Sequence, residues 1–162
     1  MGVGAMEEDV RSIYRPAIWA KRLEAYKAAE AALRESAPKV READEAAAKV
    51  LIEWADEYEE NVRILESRKP ISIMWMSFVQ AAAQCREAIA GEQDNYTEVS
   101  TEVRGEDGKH YTLNVECNWY QYRGWLISPM VIDEFRQEHL LGDAEKFCEA
   151  VGFECSDADD YE

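Results

Sequence analysis

Apolar positions recur first with a helical period and then with a period of two, and the change falls near residue 95. Trp19, Leu23, Tyr26, Ala29 and Leu33 follow one another at spacings of four, three, three and four, the stripe of an amphipathic helix predicted over 16–34. The segment Glu35-Ser36-Ala37-Pro38 predicts a break, since Ser caps a helix and Pro suits a first turn better than an interior. A second, longer helix is expected from there to about Ser67, on the stripe Val40, Ala43, Ala47, Val50, Trp54, Tyr58, Asn61 and Leu65. Together they read as a coiled-coil-like helical hairpin over 16–68. Residues 71–90, with Ile71, Trp75, Phe78, Val79, Ala82 and Ile89, predict a third helix that Gly91 closes and that lies at the centre of the core.

From Thr97 to Cys117 the pattern alternates, and the register of a hairpin can be derived from it. A three-residue loop Glu106-Asp107-Gly108 sets Val103 against Tyr111, Thr101 against Leu113, Val99 against Val115 and Glu98 against Glu116. A two-residue loop would put the two apolar sets on opposite faces. The odd loop also gives Gly108 the left-handed position of a type I turn with a G1 bulge. A third strand around 122–127 completes an antiparallel meander over 96–127. Ser128-Pro129 then predicts a helix to Leu141, and Asp143 a short capped helix to Gly152, two helices within 129–152. An acidic tail, 153–162, has little apolar content to hold it down. The expected architecture is a single α+β domain over 1–162.

Charge narrows the functional classes. Against 18 Lys and Arg stand 34 Asp and Glu, a net charge of −16. Residues 1–70 hold 12 basic and 15 acidic side chains, hence −3, and residues 71–162 hold 6 and 19, hence −13. Direct nucleic-acid binding needs cations to displace counterions from phosphate, and an anionic membrane repels such a chain in the same way. A basic protein is attracted instead. Cys85, Cys117, Cys148 and Cys155 form no CxxC pair, and the N-terminal residues lack the basic and apolar regions of a secretion signal. Reduced thiols in the cytoplasm are therefore expected, the host cytoplasm if the chain is phage-encoded. No apolar run approaches the ~20 residues that span a bilayer.

Candidate chemistry is sparse. Glu53, Asp56, Glu57 and Glu60 line one face of the second helix, yet no Glu-x-x-His accompanies them, so the metal reading of a carboxylate bundle fails. Cys148, Cys155 and His139 lack the tight ligand pairs of structural zinc. No phosphate loop, nucleophile elbow or HExxH is present, and no cofactor, metal or catalytic residue is assigned. Trp119, Tyr120 and Trp125, around Arg123, are aromatic anchors for core packing or for a protein partner. Glu98 and Glu116 are directly cross-strand, with Glu102 on the same face, and like charges so placed are mutually destabilising. The tail adds Asp157, Asp159 and Asp160.

In size and composition the chain resembles the phage anti-restriction and anti-CRISPR inhibitors and the immunity proteins that neutralise basic nucleases. That resemblance implies a non-enzymatic protein that docks its carboxylates on a basic, nucleic-acid-binding surface of a partner and inhibits it. The alternative expectation is a structural or adaptor protein that assembles through its helical hairpin. Trp54 and Tyr58 decide the oligomeric state: covered by the first helix they leave a monomer, uncovered they form a dimer seam, and a dimer is the expectation.

Overall fold

The computed structural model describes residues 10–156. The described residues divide into two compact units, one comprising 10–11 and 17–66, the other 12–16 and 67–156. The class is α+β, with four α-helices and a five-stranded mixed sheet among the described residues.

The first unit is a pair of helices, α1 (Pro16–Arg41) and α2 (Glu45–Ser67). The stripe of α1 is the predicted one, prolonged through Ala37 and Val40. The break is not where Ser36 and Pro38 place it. Pro38 lies inside the last turn of α1, and the chain turns at 42–44, where Asp44 Oδ1 accepts the Ala47 N–H at 3.0 Å as the N-cap of α2. Near a C-terminus only one backbone bond is forfeited by proline, so the helix continues. The inward stripe of α2 is Ala48, Leu51, Ala55, Tyr58, Val62 and Leu65, alternating three and four, so the predicted stripe is one residue out of phase over its first turns. Val50, predicted inward, is 40% exposed. The Tyr26 and Tyr58 rings meet at 5.4 Å, and the Trp19 indole N–H donates to the Leu65 carbonyl at 2.7 Å.

In the second unit α3 begins at Trp75, not Ile71 (Trp75–Ala90). The preceding residues are extended, with Ile71 bridging Leu141 and Ile73 bridging Gly105. α3 buries Phe78, Ala81, Ala82, Cys85 and Ile89 but leaves Trp75 71% exposed and Val79 outside, so it is a one-faced helix rather than a central one. Strands β1 (Tyr96–Arg104) and β2 (His110–Tyr120) pair antiparallel with Val99 opposite Val115, Val103 opposite Tyr111 and Glu98 opposite Glu116, the derived register, and Gly108 has φ +84°.

β3 (Gly124–Ile132) runs five residues past the predicted end, and the expected helix over 129–141 does not exist. Pro129 lies in the strand opposite Val115. On its other side β3 pairs first with β5 (Glu154–Cys155, parallel) at Leu126 and Ile127, then with β4 (Glu138–Leu140, antiparallel) at Met130–Ile132. The outward-facing Ile127 carbonyl accepts the Ser156 N–H, so Pro129, two residues on, also points outward, into the gap between the two edge partners where no donor is required. The short helix α4 (Ala144–Val151) forms as expected and ends at Gly152, φ +103°, although Asp143 makes no side-chain cap. The start of the tail is not loose: Cys155 is buried in β5, while residues 157–162 lie outside the described chain.

The core sits between one face of the sheet and the helices α3 and α4. Leu113, Val115, Cys117, Ile127 and Val131 meet Phe78, Cys85, Phe147 and Cys148 there. All four cysteines are buried and free. No helix among the described residues is long and apolar enough to cross a membrane.

Candidate functional site

The helical carboxylate stripe is partly spoken for within its own unit. Arg34 of α1 reaches Asp56 at 3.0 Å and Glu59 at 3.4 Å while holding Glu30 at 2.9 Å. Hydrogen bonds to Glu30 and then Asp56 raise the Arg34 pKa further. Glu60 is paired with Arg63, whose hydrogen bond lowers the carboxyl's pKa. Glu57 is half-buried, and its Oε2 has no hydrogen-bond partner among the described residues. Only Glu53 is both exposed and outside any ion pair among the described residues, so the stripe is not the free, wetted row that spacing alone implies.

The polar face of β1 and β2 is different. Successive residues of a strand alternate between faces, so Glu98, Ser100, Glu102 and Arg104 share one face with Asn118, Glu116, Asn114, Thr112 and His110. Glu98 and Glu102 are exposed, Glu116 is half-buried, and none of the three forms an ion pair among the described residues. The like-charge pair is answered from within the strand. The Tyr96 hydroxyl donates to Glu116 at 3.4 Å and lies beside Glu98, and desolvation, followed by the charges of Glu116 and Glu98, pushes its pKa up to about 12. One hydroxyl offsets part of the repulsion but neutralises no charge.

The aromatic candidates separate. Trp119 and Trp125 face each other across β2 and β3; Trp125 packs on the core while Trp119 remains partly exposed. Tyr120 is half-buried, and Arg123 is held by Glu154 at 2.8 Å. Asp157, Asp159 and Asp160 lie outside the described residues.

Two clefts escaped the sequence reading. One, about 440 Å³, has Trp75 stacked on Phe78 at 5.4 Å on one wall and Glu106, Asp143, Lys146 and Glu149 around it. The other, about 550 Å³, brings together both histidines, His110 and His139, with Lys109, Asp133, Glu134 and Phe135. Asp133 organises the turn between β3 and β4: it accepts the Phe135 and Gln137 N–H groups at 2.9 Å and faces His139 Nε2 at 2.9 Å. Burial works against this carboxylate, but His139 and the two backbone donors outweigh it and hold its pKa below the usual range. His139 Nδ1 faces the Lys69 carbonyl at 3.3 Å, so both ring nitrogens are engaged. Asp107 is likewise committed to the Tyr111 hydroxyl and the Lys109 N–H. These acids fix turns. Spacing could not have paired residues 110 and 139, because 129–141 reads as a helix.

Among the described residues no three His, Cys, Asp or Glu side chains converge where a metal ion could be held. No family model, no curated protein and no solved structure matches the chain.

Proposed function

We propose that this protein is a non-enzymatic binding protein whose acidic sheet face docks on a basic surface of another protein, of the kind that holds nucleic acid, and blocks it. The observation that carries the reading is the face formed by Glu98, Glu102 and Glu116, a row of carboxylates outside any ion pair among the described residues and tolerated at a cost in folding energy. The helical stripe, which Arg34 and Arg63 already engage, contributes less. An excess of negative charge speeds encounter with a cationic surface and repels nucleic acid and anionic membranes.

The test begins with capture of basic partners from a host lysate and continues with kinetics on the partner obtained. Reversing Glu98, Glu102 and Glu116 together to Lys should slow association at least tenfold at low ionic strength, and the difference should shrink as salt rises, because salt screens long-range attraction. Reversal of Glu53, Asp56, Glu57 and Glu60, or removal of the residues after Ser156, should do less. Unchanged association in all three variants at low salt would mean that the acidity serves solubility alone.

A further inference from the structure

The outer edge of β1 is an open strand edge on the acidic face, and we infer that the partner is held there as an added β-strand carrying Lys or Arg at every second position. This rests on the reading above, that the acidic face is the binding surface. The Gly105 N–H donates to the Lys109 carbonyl and the Trp119 N–H to the Asn95 carbonyl, so odd-numbered residues of β1 bond to β2 and even-numbered ones point their backbone groups outward. Arg104 bears this out: its N–H donates to Ser77 Oγ at 3.1 Å and its carbonyl accepts the Met74 N–H at 2.8 Å, which closes the edge at that end. Beyond it, the outward N–H and C=O groups of Glu102, Ser100 and Glu98 have no backbone partner among the described residues, and all three residues are exposed. The open stretch from Tyr96 to Glu102 is about 23 Å long, enough for an ordinary strand.

Charge selects the occupant. A strand laid along this edge turns alternate side chains toward Glu98 and Glu102 and the rest toward the flank of α3 that carries Ser77, a small neutral residue whose hydroxyl meets the Arg104 N–H. Cations at the first set answer the carboxylates, and small residues suit the second. A second copy of this chain would instead bring its own Glu98 and Glu102 onto the same face, and acidic side chains on an edge are a known guard against such self-pairing. Main-chain bonds then supply affinity and the alternating side chains supply selectivity.

The test uses the full chain and two peptides of about seven residues, one alternating Lys and Thr, the other of equal composition with its lysines in a block. The alternating peptide should bind roughly tenfold more tightly and slow hydrogen exchange at the Glu98, Ser100 and Glu102 amides. Ser100→Pro removes an outward N–H without touching the β1–β2 ladder, so it should abolish the difference between peptides while leaving the weaker, salt-sensitive binding of both. Glu98→Gln with Glu102→Gln should weaken both. Equal binding of the two peptides by the parent, with loss only in the glutamate variant, overturns the strand inference and leaves the acidic-face reading standing. No loss in the glutamate variant overturns the acidic-face reading itself. Protection of the same amides without peptide, rising with protein concentration, would make a second copy the occupant and overturn the inference. If Ser100→Pro fails to fold, the exchange pattern of the parent decides.

Discussion

Tyr96 shows how one hydroxyl alters the meaning of a charge pair. Glu98 opposite Glu116 looks in the register like an unanswered repulsion, yet the Tyr96 phenol beside them donates to a Glu116 carboxylate oxygen. Tyr96→Phe should therefore lower stability at neutral pH by about 1 kcal/mol, read from urea midpoints. The raised phenol pKa means that folding favours the protonated ring, so its contribution is complete below pH 10 and is lost as pH rises toward about 12. The variant should lose less stability over that interval, and Tyr111, shifted to about 12 by Asp107, accounts for what remains. Asp133 has the opposite sign. Its lowered pKa gives a contribution present above the ordinary carboxylate range and lost as pH falls through the folded value, so Asp133→Asn should flatten the decline in stability below about pH 4. An equally steep acid limb in parent and variant would mean that the His139 contact adds nothing.

At the scale of elements, two of the misplaced boundaries share a cause, which is proline. Pro38 reads as a helix start and is a helix end; Pro129 reads as a helix start and is buried inside a strand. Pro129 leaves its missing N–H in the gap between β4 and β5, where none is needed, and Pro38 forfeits a single bond in the last turn of α1. Pro38→Ala should restore the bond to the Arg34 carbonyl and stabilise α1 by about 1 kcal/mol or more, measured as a rise in urea midpoint. A fall would show that the fixed φ of proline outweighs the lost bond. The run Trp125–Ile132 did carry a strand signal, since β-branched and apolar residues without alternation mark a strand covered on both faces, but Ser-Pro punctuation masked it.

For the whole molecule, the oligomeric state turns on how Trp54 and Tyr58 are covered. Tyr58 lies against Tyr26 within the same hairpin, so the chain's own first helix covers that residue of the seam. A monomer mass by light scattering is the expected result at concentrations where an apolar dimer would persist; a dimer would revive the adaptor reading through Val50 and Trp54.

Local pattern determined the amphipathic hairpin, the β1–β2 register, the glycine at the turn and the excess of acidic charge. Each of these depends on neighbours a few residues apart, on alternation, or on a sum over the chain. Only the tertiary structure decided that β3 pairs with β4 and β5 on the side away from β2, that Trp75 lies outside the core, that Arg34 engages Asp56, and that His110 and His139 share a cleft. Those outcomes depend on which distant segments meet, and a residue's spacing within its own element carries no information about what will be packed against it. The open edge of β1 belongs to both: alternation placed Glu98 and Glu102 on one face, and the fold left that edge without a neighbouring strand.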